Sequence, residues 1–309
     1  MTNIENKLWV EKYRPKILSE YVGNEDLKSK IQIWLDEGEI QHLLLYGNKP
    51  GTGKTSLALL LAKTLDCDFL YINASEENSV DVVREKITKF VSTIGFKKWK
   101  IVILDESDFT TPSFQAALRN TLETFSKSSR FILTCNYLER IIEPIQSRCV
   151  SYHILPPSKL DVAKRCVEIL NNEGVKFSKE DLAGIIKKFY PDMRRVINAL
   201  QSSSKSGELK IDKQTTAEIG YMDLILEELI KTKSAKDCFT NIRQIIANSR
   251  VKLFDDLYRF LFDHVEEISP TNQGSIILTI AESMNNDITS IDKEINIMAM
   301  FVKIINEIK

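Results

Sequence analysis

Five short apolar runs recur between residues 40 and 155, and they constrain the fold more than anything else in the chain. They are HLLLYG (42–47), FLYINA (69–74), KIVILDE (100–106), RFILTCN (130–136) and CVSYHIL (149–155). Each is rich in β-branched or aromatic residues and almost continuously apolar. A strand wetted on one face would alternate apolar and polar residues, whereas strands buried on both faces belong to a parallel sheet covered by helices. The intervening stretches TSLALLLAKTL, VDVVREKITKFV and PSFQAALRNTLETF place apolar residues three and four apart, as amphipathic helices do. The alternation predicts an α/β fold, a doubly wound parallel sheet of five strands.

The pattern changes at Leu155-Pro156-Pro157-Ser158, where paired prolines end a strand and Ser158 can cap a helix. From there only helical periodicity remains. KLDVAKRCVEILNNEG, SKEDLAGIIKKF and DMRRVINALQ are separated by Gly174 and Pro191, and QSSSKSGELK reads as a loop. DLILEELI and VKLFDDLYRFLFDHV stand out in the last third. The predicted organisation is an α/β domain over 1–155, a small helical domain over 156–218 and an all-α domain over 219–309. At 309 residues the chain can form two or three such units.

Composition excludes several function classes. No apolar run reaches the ~18 residues that cross a bilayer. The start, MTNIENKLWVEKYRP, lacks an apolar secretory core, which predicts a cytoplasmic protein with no membrane partner. The five cysteines show no C-x-x-C spacing and read as reduced, mostly buried thiols; with only three histidines, no protein-ligated transition metal is expected. Net charge is −1, so a nucleic-acid contact requires a local patch. Residues 221–309 carry 10 basic and 14 acidic side chains, a net −4, which leaves +3 on residues 1–220.

The chemistry concentrates at LLLYGNKPGTGKT (43–55). A phosphate loop follows G-x-x-x-x-G-K-[ST] between a strand and a helix. Counting back from Gly53-Lys54-Thr55, the first glycine belongs at position 48, where Asn48 stands, and Gly47 comes one residue early. The part that wraps phosphates, PGTGKT, is intact, and Asn tolerates left-handed geometry better than other non-glycine residues. We therefore read a phosphate loop lengthened by one residue at its front. Gly51 and Gly53 let successive N–H groups converge on phosphate oxygens. Lys54 reaches the β- and γ-phosphates, Thr55 ligates Mg2+, and the helix N-terminus favours the negative charge. Asp105 and Glu106 end a strand fifty residues downstream: the first suits the metal, the second an attacking water. These features alone fit many nucleotide hydrolases and some nucleoside kinases, although no acceptor pocket for a kinase is evident. Asn136 at the end of the fourth run, Arg148 before the fifth, and Arg194 at a helix start narrow the choice, because Arg bridges phosphate oxygens.

Over roughly residues 8–205 the chain resembles the AAA+ ATPases, and within them the sliding-clamp loaders. LWVEKYRPKILSEYVGNEDL is similar to the adenine-side motif of replication factor C small subunits, and NASEENSVDVVREKI, ILDESD, TCN, the SRC of QSRCV, and PDMRRVINALQ follow in the family's order. The longer phosphate loop and short C-terminal third are similar to the large loader subunit of T-even-type phages, with archaeal small subunits next. The resemblance implies an AAA+ domain, a helical lid and a C-terminal collar. It implies that Val10, Glu11, Lys12, Tyr13 and Val22 line the adenine and ribose pocket. Gly51, Thr52, Gly53, Lys54, Thr55 and Ser56 would hold the phosphates of ATP, with Thr55 and Asp105 on Mg2+. Glu106 would activate water, Asn136 would sense the γ-phosphate, and Arg194 would close the lid. Arg148 would be an arginine finger acting on a neighbouring subunit's ATP, and Asn73 would restrain Glu106 until DNA arrives.

The implied partners are sister ATPase subunits and a distinct small subunit in a hetero-pentamer, a sliding clamp, and primer–template DNA, in the host cytoplasm if the source is viral. DNA contact is expected within residues 84–100, which hold Arg84, Lys86, Lys89, Lys97, Lys98 and Lys100 against Glu85. The resemblance adds Ser113 and Arg119. A solvated basic face would read the same way, as would simple bundle packing for the last third. A helicase loader, a branch-migration motor and a non-hydrolysing ATP-binding scaffold remain alternatives.

Overall fold

Alternate residues of the apolar runs enter two separate cores, one on each face of a single sheet. The computed structural model describes residues 8–65, 67–95, 97–204, 206–210 and 213–308. Residues 1–7, part of the segment on which the export reading rests, lie outside them. The strands are β1 (Leu43–Tyr46), β2 (Asp68–Asn73), β3 (Lys100–Asp105), β4 (Ser129–Cys135) and β5 (Val150–His153). All pair in parallel, in the order β2-β3-β4-β1-β5. Leu43, Leu45, Ile101, Ile103 and Ile132 pack on one face with Leu57, Ala58 and Leu61. Leu44, Ile72, Val102, Leu104, Phe131 and Leu133 pack on the other with Val83, Ile87, Phe114, Leu118 and Leu122. The side-chain period of two thus produces continuous apolarity in the central strands. The outer strands differ: β2 and β5 largely alternate half-buried with exposed positions, and Phe69 and Tyr71 of β2 are 40% and 39% exposed.

Helices connect the strands. In chain order they are α1 (Trp9–Lys12), α2 (Glu25–Glu37), α3 (Lys54–Thr64), α4 (Thr88–Ser92), which continues a wide π-type turn over Val82–Ile87, α5 (Pro112–Thr124), and α6 (Glu143–Gln146). Thr111 caps α5 by accepting from Phe114 N–H at 3.2 Å, with Pro112 in the first turn. The small helical domain comprises α7 (Lys159–Asn172), α8 (Lys179–Phe189) and α9 (Met193–Ser203). Ser158 caps α7, accepting from Asp161 N–H at 3.1 Å.

The chain divides into two compact units, one ending at Leu209 and the other starting at Lys210. The second contains α10 (Lys213–Lys231), α11 (Ala235–Ser249), α12 (Asp255–Asp263), α13 (Val265–Ile268), α14 (Gln273–Asp287) and α15 (Lys293–Ile308) around one core that includes Ile225, Ile242, Tyr258, Phe301 and Ile304. The sequence reading began this unit at residue 219, which falls inside α10; the units part at the end of the loop read at 201–210, which contains Gly207. Among the described residues no helix is long and apolar enough to cross a membrane. All five cysteines are buried free thiols.

Candidate active site

In an open parallel sheet, a crevice forms beyond the carboxyl ends of the strands. Here a cleft occupies that place, with the loop after β1 as its floor. Gly51 and Gly53 have φ of +67° and +98°. A Cβ at Gly51 would collide with the Asp192 carboxylate, and one at Gly53 would come within 3.0 Å of the Tyr21 ring. Only glycine lets the chain pass this closely, and the turn delivers the N-terminus of α3 to the cleft. Lys54, 9% exposed, donates from Nζ to Gly47 O at 2.8 Å and Lys49 O at 3.0 Å. An ammonium carries three donors, so one N–H remains for a ligand. Burial lowers the Lys54 pKa, partly offset by the charges of Cys135, Asp108, Asp105 and Glu106.

Thr55 and Asp105 meet behind the loop. Thr55 Oγ1 donates to the Asp105 carboxylate, 2.7 Å from Oδ1 and 3.0 Å from Oδ2. Among the described residues no group of three or more His, Cys, Asp or Glu side chains could hold a metal. One hydroxyl and one carboxylate are hard oxygen donors that suit Mg2+, which usually takes one or two carboxylates and completes its shell with phosphate oxygens and water. Thr134 Oγ1 donates to Asp105 Oδ1 at 2.5 Å and accepts from Glu106 N–H at 3.1 Å, so one hydroxyl fixes both acids. Glu106 has φ +55°, a left-handed conformation that costs energy for any residue with a Cβ and clusters at functional sites. Glu106 lines the cleft, as does Asn136.

The helical domain supplies the opposite wall. Asp192 caps α9, its Oδ1 accepting from Arg194 N–H at 2.9 Å and Arg195 N–H at 3.1 Å. Met193 N–H donates to Gly51 O at 3.2 Å, which seats the start of α9 on the phosphate loop. Arg194 lines the cleft, as do Val10, Tyr13, Val22, Thr52 and Ser56. Glu11 and Lys12 do not: Glu11 accepts from Arg14 at 2.6 Å and Lys12 donates to Glu173 at 2.7 Å. Tyr13 also donates to Glu173, at 2.7 Å, so α1 is tied to the end of α7.

Arg148 lies outside the cleft of its own chain. It donates from Nε to Glu123 Oε1 at 2.6 Å, from Nη1 to Pro144 O at 2.7 Å, and from Nη2 to Glu123. Asn73 is not directed at Glu106. Its Nδ2 donates to Glu76 at 3.0 Å and its Oδ1 accepts from Ser75 N–H and Oγ at 3.2 and 2.8 Å, a local turn at the end of β2. The basic segment 84–100 does not form one surface. It descends from the carboxyl end of β2 to the amino end of β3, and Lys100 is 5% exposed with Nζ donating to Phe90 O at 2.7 Å and Thr93 Oγ1 at 2.6 Å. Arg84 is exposed on the π-type turn packed against α5, where Ser113 is also exposed; Arg119 donates to Asn120 Oδ1 at 2.9 Å.

Sequence reasoning missed several wall residues. Tyr21 is 3% exposed, its hydroxyl has no partner among the described residues, and burial moves its pKa above the usual range. Thr134, Cys135, Pro157 and Arg165 also line the cleft. Burial and Asp108 push the Cys135 thiol up to about 12. Tyr21 stands beside Val22 in the N-terminal motif already quoted; the others lie in an apolar strand or in the helical domain, where no local pattern marks them.

Residues 43–156 match the family described as ATPase family associated with various cellular activities (AAA), and residues 159–214 match the sliding-clamp-loader large subunit, AAA+ ATPase lid domain. The replication factor C small subunit of Archaeoglobus fulgidus is 45% identical over 255 residues, covering 80% of this chain and 78% of that protein. The corresponding protein of Methanocella arvoryzae is 35% identical over 278 residues, covering 84% of each. In structure, the chain is similar to the Thermotoga maritima RuvB Holliday junction branch migration motor, with a TM-score of 0.58 at 16% identity over 93% of this chain and 91% of that one; this likeness concerns the fold alone.

Proposed function

Because this chain belongs to the replication factor C small-subunit family of AAA+ sliding-clamp-loader ATPases, we propose that its cleft binds ATP between the phosphate loop and α9, and that turnover awaits an arginine from a neighbouring subunit. The chain is an ATPase of a clamp loader that acts in DNA replication. One observation carries the finer reading: the groups suited to grip phosphates and metal converge in one cleft, while Arg148 lies outside it and paired with Glu123.

Lys54 contributes its remaining N–H, and the first N–H groups of α3 add theirs, with Thr52 and Ser56 at the rim. Thr55 and Asp105 would hold Mg2+, which would supply positive charge to the phosphates. Glu106 orients and deprotonates water, Asn136 marks the γ-phosphate, and Arg194 carries lid closure to the nucleotide. Val10, Tyr13 and Val22 face the base and ribose. Glu11 and Lys12 fix that segment through Arg14 and Glu173 instead of touching the ligand. Arg148 completes the site of the next copy, so hydrolysis follows assembly. The lid match to a large subunit and the lengthened loop support a phage-type protein in the host cytoplasm, forming a pentamer from several copies and one distinct small subunit. Arg84 and Ser113 face primer–template DNA and contact phosphates, which suits a loader that must accept any sequence. Exposed Leu278, Ile288, Ile291 and Ile295 support a collar role for the last unit.

An ATPase assay of the purified chain with clamp, primed DNA and the co-encoded small subunit tests this reading. Activity should be low alone and strongly stimulated by all three together. Flat activity across the additions defeats it.

A further inference from the structure

Asp105 accepts hydrogen bonds from three hydroxyls on three different elements. Thr55 of α3 donates toward both oxygens, and Thr134 of β4 donates to Oδ1. The third donor is Tyr71 of β2, whose hydroxyl lies 2.8 Å from Oδ2. In the register of the sheet Tyr71 stands opposite Ile103, two residues before Asp105. It is therefore the diagonal neighbour of Asp105 on one sheet face, about 7–8 Å away at the backbone, a gap that a long aromatic side chain spans. Burial does not account for the ring, since Tyr71 is 39% exposed on an edge strand. Its polar tip is the part that reaches inward.

Asp105 is 7% exposed, so the orientation of its carboxylate depends on these donors. Thr134 and Tyr71 each hold one oxygen, on either side of Thr55. When the Thr55 oxygen faces a cation, the two outer donors still hold the carboxylate plane. We propose that Tyr71 is a positioning residue, which fixes Asp105 Oδ2 so that the carboxylate presents a set geometry to a divalent cation. The proposal rests on the reading that Asp105 serves the metal.

The test uses the full chain with ADP and Mn2+ as the probe, free Mn2+ being read by electron paramagnetic resonance. A fluorescent ADP analogue in EDTA separately reports metal-free nucleotide affinity. Tyr71→Phe keeps the ring and removes the hydroxyl. It should weaken Mn2+ binding in the nucleotide complex by about tenfold, as loss of a partner of a metal ligand does, and leave nucleotide affinity in EDTA unchanged. Unchanged or tighter Mn2+ binding overturns the proposal. An equal loss of nucleotide affinity in EDTA also overturns it, because that is the mark of a packing role. Asp105→Asn separates the two levels: if it leaves Mn2+ binding intact, the metal reading itself fails; if it abolishes binding while Tyr71→Phe changes nothing, only the role of Tyr71 fails.

Discussion

Lys54 and Arg148 are the two cations assigned to the transferring phosphate, and the fold treats them in opposite ways. Lys54 is almost fully enclosed and tied to two backbone carbonyls of its own loop. The side chain of Arg148 is 35% exposed and is held by Glu123, itself 50% exposed, and by Pro144 O. A cation fixed by main chain and burial stays in place whenever the domain is folded. A surface ion pair is worth about 0–1 kcal/mol and gives way to a better anion. On the proposed reading, the phosphate grip is a property of the single chain, and Arg148 acquires its anion only from an adjacent copy.

The sharpest attack on that contrast is Arg148→Ala. In the assembled, DNA-stimulated complex it should lower turnover by about 10³–10⁵-fold, the range for an arginine finger, with ATP binding by the isolated chain retained. Lost binding in the equilibrium titration would move Arg148 into its own site. Next is Glu106→Gln, which removes the base and leaves its shape. Turnover should fall about 10²–10⁴-fold with nucleotide affinity preserved, and single-turnover kinetics should place the loss in the chemical step. A third variant, Gly51→Ala, probes the grip alone. It forces a side chain into a left-handed turn and against Asp192, so the folded chain should lose about 1–3 kcal/mol of stability, read as a lower melting temperature, and nucleotide affinity should weaken as the loop and α9 move apart. Parent-like affinity would mean that the loop and α9 do not need their close seating. The smallest effect belongs to Glu123→Gln. If the ion pair only parks the finger, assembled turnover should change by no more than about fivefold. A loss as deep as that of Arg148→Ala would show that the pair presets the finger before assembly.

The central strands were readable because a parallel sheet buries both of their faces, so composition alone exposes them; all five strands lie within the runs marked in the sequence, to within one residue. The loop, the Asp105-Glu106 pair, Asn136 and Arg194, which the fold brings to one cleft, were marked in the sequence for a related reason: residue types suited to phosphate stand at strand ends and helix starts. Tyr71 and Thr134 were not, because in a β run both residue types are what strand propensity favours. Lys100 was misleading because charge implies exposure, yet its stem is buried and its ammonium bonds to Phe90 O and the Thr93 side chain. Asn73 was misleading for another reason: an asparagine at a strand end can satisfy its own turn as readily as a distant acid.

By itself the sequence determined which segments become strands and helices, and which residue types could bind a triphosphate, because periodicity and local backbone chemistry act between neighbours in the chain. Only the tertiary structure decided which of those residues meet. The order β2-β3-β4-β1-β5 brings Tyr71, Asp105, Thr134 and Thr55 together from four elements, seats α9 on the loop, and leaves Arg148 outside. Hydrogen bonds operate over about 3 Å, a distance that separation along the chain does not encode.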